Sequence, residues 1–140
     1  MSAPMHRTRG FTLIEVLIVV VIIGILAAIA VPSYAAYMTQ VRRSDATILL
    51  TEAAGEQFRY FSEFNAYTDE LTELGYALDT AVPSADGHYT LSAVASDPSR
   101  FVLTATPVVD GLQAGDAECG SFTLNQNGVR ATTGGGENCW

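Results

Sequence analysis

From Phe11 to Val31 the chain reads FTLIEVLIVVVIIGILAAIAV, a run whose single charge is Glu15. As a helix rising 1.5 Å per residue it is roughly 31 Å long, the thickness of a bilayer's hydrocarbon core, so it can cross a membrane once. Arg7 and Arg9 lie just before it, and the positive-inside tendency then keeps the N-terminus cytoplasmic and sends the remainder outward. Arg42 and Arg43 on the other flank weaken that inference.

The remainder has a different character. Residues 44–140 hold fourteen acids against Arg59, Arg100 and Arg130, in a chain of 140 residues with net charge −8. An oily rod is attached to an acidic, water-facing body of one modest domain, too small for a multidomain enzyme. Such a charge disfavours a whole-surface footprint for nucleic acid and leaves a local basic patch open. Cys119 and Cys139 enclose a segment rich in Gly, Asn and Thr. Two thiols with no nearby His make a poor zinc set, and an exported body favours a disulfide.

A plain secretory signal would account for the basic start, the apolar middle and the small residues Ala28 and Ala30. Glu15 argues against it. A carboxylate near the start of an apolar helix costs a few kcal/mol on insertion, and a simple signal or anchor gains nothing from it. A Glu near enough to the interface to snorkel or protonate is the bland alternative. The stretch Arg9-Gly10-Phe11-Thr12-Leu13-Ile14-Glu15-Val16 resembles the class III processing motif of type IV pilins and of the related type II secretion pseudopilins.

The resemblance implies a leader, residues 1–10, removed by a membrane-embedded prepilin peptidase that cuts between Gly10 and Phe11 and methylates the new amine of Phe11. Glu15 becomes the fifth residue of the mature chain, where it would neutralise the amino terminus of a neighbouring subunit inside an apolar filament core. Desolvation offsets much of the gain from such a pair, so it acts as a register device more than as net stabilisation. The stretch between Gly24 and Pro32 is expected to loosen when subunits enter a filament. Both residues weaken a helix, and a packing notch and a kink are the ordinary readings of them.

Residues 11–33 are thus expected to form a transmembrane and assembly helix, and residues 34–140 a globular head. Beyond Pro32 the helical pattern resumes with Tyr34, Tyr37, Met38 and Val41, then Ala46, Leu50, Ala54, Phe58 and Phe61, predicting one long helix whose second half packs on a sheet. Residues 62–87 read as a connecting loop with one helical turn at Thr68 to Leu74. Residues 88–140 carry the sheet and the cysteine-bounded region: strands at His88 to Ala95, Arg100 to Val108, Gly120 to Leu124 and Val129 to Ala131, with turns at Asp97-Pro98-Ser99 and Asn125-Gln126-Asn127-Gly128. Gly134-Gly135-Gly136 reads as a flexible loop tip. The expected class is α+β: a type IV pilin fold with a long N-terminal helix, a three- or four-stranded antiparallel sheet and a disulfide-bounded C-terminal loop.

The run Cys119-Gly120-Ser121-Phe122-Thr123-Leu124-Asn125-Gln126-Asn127-Gly128-Val129-Arg130, closed by Cys139-Trp140, is similar to the disulfide-bounded region of minor pilins, a group that includes the DNA-uptake receptor. With Tyr67-Thr68-Asp69 and Leu74-Gly75-Tyr76 it favours a minor-pilin-like chain over a pseudopilin, and it does not separate a minor from a major subunit.

No catalytic constellation is visible. The histidines are His6 and His88, the serines lack a base, and no phosphate-cradling loop follows a strand. Asp69, Glu70 and Glu73 lack the ordered spacing of a calcium loop and read as a solvated acidic face. Neither metal nor cofactor is expected. The partners implied are prepilin peptidase, inner-membrane lipid before assembly, the pilus assembly machine and other pilins, giving an inner-membrane precursor and then an extracellular pilus serving twitching movement, adhesion or DNA uptake. Two alternatives remain: a type II secretion pseudopilin, and a head that binds DNA through Arg130 and nearby Asn and Thr. The second is disfavoured by Asp116, Glu118 and Glu137 in the same region.

Overall fold

The computed structural model describes residues 10–140, so the expectations for Arg7, Arg9 and the body of the leader lie outside the described residues. The chain divides between Tyr37 and Met38 into two compact units, here described separately.

In the first unit the helix α1, Leu13–Phe64, begins. Thr12 starts it: its Oγ1 accepts from the Glu15 backbone N–H at 3.3 Å, and its carbonyl accepts from Glu15 and Val16, which satisfies N–H groups that a helix start otherwise leaves unpaired. The side chains from Leu13 to Val31 are exposed all round, and the helix is long and apolar enough to cross a membrane. α1 runs unbroken through Gly24 and Pro32. Pro32 has no N–H to offer the preceding turn, where the Ser33 hydroxyl donates to the Ile29 carbonyl at 3.1 Å.

The second unit, Met38–Trp140, contains the rest of α1 and five strands. Asn65 ends the helix: it takes a left-handed φ of 56° and donates its N–H to the Phe61 carbonyl at 2.8 Å, a common way to close a last turn. The strands are β1 Val82–Pro83, β2 Tyr89–Asp97, β3 Arg100–Pro107, β4 Phe122–Asn125 and β5 Arg130–Thr132. They form one antiparallel meander in sequence order. Tyr89, Leu91, Phe101, Leu103, Ala105, Phe122 and Leu124 point inward and share a core with Ala46, Leu49, Leu50, Ala53 and Ala54 of α1. Alternate residues face water, as the period of two requires.

This is the expected pilin architecture, with a sheet of five strands. The strand beyond the anticipated three or four is β1, whose two residues pair Val82 with Leu91 and Pro83 with Thr90. Two residues carry no periodicity to read, and Pro83 is tolerated because the strand lies at the sheet edge. The turn expected at Thr68 to Leu74 sits slightly later, as three overlapping bonds from Glu73, Leu74 and Gly75 to the carbonyls of Glu70, Leu71 and Thr72.

Two local readings are corrected. Phe58 stays 49% exposed, since its position points off the sheet-facing stripe, although its ring edge still meets Phe101 at 5.9 Å and Tyr67 at 6.1 Å. The glycine run is no free loop tip: Gly134 N–H donates to the Cys119 carbonyl and Gly136 N–H to that of Glu118, both at 3.0 Å. A Cβ at Gly134 would run into the backbone of Ala117 and Glu118.

Candidate functional site

Gly10 precedes the helix and is exposed, with open space where a Cβ would stand. Phe11 is 81% exposed, and Glu15 lies in the first helical turn, also exposed. A carboxylate there faces the positive end of the helix dipole. Gly24 has open space beside it as well, so that position presents bare backbone on the apolar rod. The rod therefore offers a contact surface of Leu, Ile and Val interrupted by one acid and one gap. Chemically it can pack against apolar chains or lipid, and Glu15 can accept one cation.

In the head, α1 reaches three loops through buried polar side chains that sequence reasoning missed. Arg43, side chain 9% exposed, forks onto Asp116: Nε donates to Oδ2 and Nη2 to Oδ1, each at 2.8 Å, and Nη2 also donates to Glu118 at 2.7 Å. A bidentate guanidinium–carboxylate pair is among the stronger polar contacts a protein makes. The arginine hydrogen bonds hold the Asp116 carboxyl below its usual range, and the same bonds raise Arg43.

Asp45, also buried, accepts from the Ser84 hydroxyl and from the backbone N–H groups of Asp86 and His88 at 3.3 Å each. Gln57 exchanges two bonds with Thr68, donating to its carbonyl at 2.5 Å and accepting from its N–H at 3.2 Å. Gln113, wholly buried, donates to the Thr39 carbonyl at 3.2 Å and to the Tyr89 hydroxyl at 3.1 Å. These bonds tie the loop after the helix, the turn before β2 and the loop after β3 to one helix. The signal was present in the sequence: Arg43 and Gln57 fall on the same helical spacing as Ala46, Leu50 and Ala54, so they had to be buried and therefore partnered.

Cys119 and Cys139 are joined in a disulfide, both buried. Asp116, Glu118 and Cys119 lie close enough to suggest a metal set. The donors do not suit one: the sulfur is spent in the disulfide and both carboxylates hold Arg43. Of the three acids weighed as a calcium loop, Glu73 instead accepts from Tyr60 and Thr68, which lowers its carboxyl and raises the Tyr60 phenol. Arg130 stacks over the Trp140 ring at 5.1 Å, and the indole N–H donates to the Ala131 carbonyl at 3.1 Å.

Two family models match this chain. The prokaryotic N-terminal methylation motif covers residues 5–31. A model described as the type IV minor pilin ComP, DNA uptake sequence receptor, covers residues 32–123. The chain belongs to the type IV pilin family.

Among relatives of this pilin, the type IV major fimbrial protein FimA of Dichelobacter nodosus is 33% identical over 135 residues, 94% of this chain and 81% of the relative. The type IV major pilin PilA of Myxococcus xanthus is 46% identical over 71 residues, 51% of this chain, and the chain spans only 32% of that relative's length. Among solved structures, a type IV pilin from Shewanella oneidensis superposes with a TM-score of 0.52 at 26% identity, covering 73% of this pilin and 97% of that chain.

Proposed function

We propose that this pilin is a minor-type subunit of a type IV pilus, stored by its apolar helix in the inner membrane and then packed through it into a surface filament. The carrying observation is the fully exposed apolar rod from Leu13 to Val31 with one carboxylate in its first turn. Water does not tolerate such a surface, so it needs lipid first and neighbouring helices afterwards. Cleavage between Gly10 and Phe11 frees an amine four residues from Glu15, and an amine of this kind on a neighbouring subunit is the cation that the acid requires once neighbouring helices bury it. Residues 11–33 serve assembly and residues 34–140 the exposed head, with no catalysis of its own. The minor role is supported by the family model that matches the head.

The experiment is to shear surface filaments and identify this chain in them by mass spectrometry. The expected N-terminal peptide begins at N-methylated Phe11. A chain found only in membranes, or still carrying residues 1–10, contradicts the reading.

That family model also names a DNA uptake receptor, which makes DNA the second reading for the head. Here Arg43 and Arg59 are paired with acids, Arg100 lies 3.6 Å from Asp97, and Arg130 stacks on Trp140. With four of the head's five arginines so engaged and Arg42 the one outside these contacts, the attraction for phosphates is weak. Salt-sensitive gel shifts of filaments carrying this subunit with duplex DNA would revive the DNA reading.

A further inference from the structure

The loop after β3 holds two large apolar side chains in water. Val109 is 83% and Leu112 69% exposed. The loop is not slack. Gly111 N–H donates to the Val108 carbonyl at 2.9 Å and Ala114 N–H to that of Gly111 at 3.1 Å. Asp110 takes a left-handed φ of 62°, uncommon outside glycine. Next to Leu112, the buried Gln113 amide fastens the loop to the Thr39 carbonyl and the Tyr89 hydroxyl. Apolar residues scattered singly over a surface need no explanation, but two presented on one fixed turn point to a partner.

Place in the chain and charge identify that partner. Thr39 lies eight residues beyond Val31, the end of the apolar run, which is about 12 Å as helix and no more than about 28 Å in any conformation. Tyr34 and Tyr37 fall in this interval, both exposed, and tyrosine collects at the headgroup level of a bilayer. The loop is thus fastened two residues past the pair that marks that level. Although the head is acidic, Asp116 here is taken by Arg43. That leaves the exposed Asp110 and Arg42, which enters no ion pair among the described residues. A zwitterionic headgroup offers the opposite pair, an ammonium for Asp110 and a phosphate for Arg42.

We infer that residues 108–113 dock the head on zwitterionic phospholipid of the membrane that stores the helix, with Val109 and Leu112 entering the boundary between headgroups and acyl chains. Two side chains make a weak contact, which the attached helix renders intramolecular. That weakness lets the head leave when the subunit is drawn into a filament.

The inference rests on the membrane-stored state proposed above. The test reconstitutes the full chain in phosphatidylethanolamine–phosphatidylcholine vesicles with brominated acyl chains and reads tryptophan quenching. Leu112→Trp is compared with Val94→Trp on the outer face of the sheet, each corrected for Trp140 with the unmodified chain. Quenching of Leu112→Trp should exceed that of Val94→Trp severalfold, fall when Val109→Asp is added, and be weaker in phosphatidylglycerol vesicles, which offer Asp110 no ammonium. Quenching no greater than that of Val94→Trp, or as strong in phosphatidylglycerol, overturns the inference. So does a Leu112→Trp emission that is shifted to the blue in sheared filaments but not in vesicles, which assigns the loop to contact between subunits. Release of the chain from vesicles by alkaline carbonate is a separate result that overturns the membrane-stored state and this inference with it.

Discussion

Replacing Asp116 by Asn would leave the buried Arg43 guanidinium with Glu118 as its only carboxylate. Breaking a buried pair from one side costs about 3 kcal/mol, so the melting temperature of the head should fall by several degrees. The pH dependence has a definite sign. The Asp116 carboxyl is lower in the folded protein than in the unfolded chain, so its contribution is complete above the unfolded value of about 4 and disappears as pH drops through the folded value. Thermal melts from pH 6 to pH 2 should show a loss of stability below about pH 4 that is smaller in Asp116→Asn. A variant with the parental pH profile would contradict this role. Arg43 and Asp45 show why single residues were the hardest to read: their places on the buried face followed from helical spacing, but their partners lie some seventy and forty residues away and no local pattern encodes them.

At the scale of elements, the cysteine bridge and the segment it encloses should matter most for the head. Opening the Cys119–Cys139 link releases a loop of this size at a cost of roughly 3 kcal/mol in the chain-entropy model. Reductant should therefore lower the melting temperature, whereas a chelator should leave it unchanged. Equal indifference to both would contradict the minor-pilin reading and favour a different architecture for the region. Gly134→Ala should also lower the melting temperature, because the added methyl meets the Glu118 backbone; a neutral outcome would mean that the segment is looser than described. The strands themselves were legible, since Tyr89, Leu91 and Phe101, Leu103 alternate cleanly with polar partners. The glycine run misled because flexible composition and tight packing look alike in one sequence. Here the missing side chains allow two backbone segments to touch.

For the whole molecule, Gly10→Val should accumulate uncut precursor in the membrane, detected by the mass of the N-terminal peptide. A residue without a side chain lets a peptidase approach the bond closely, and normal cleavage of the variant would argue against this site. The rod was the most legible part of the chain, because twenty-one residues with one charge admit few environments. The partner proposed for its acid, a second subunit's amine, is what the chain alone does not contain. The most direct measurement is the amount of Glu15→Ala protein in sheared filaments relative to that in membranes, compared with the unmodified chain. The account predicts normal membrane levels, normal cleavage and a strong loss from filaments; incorporation equal to that of the unmodified chain would contradict it.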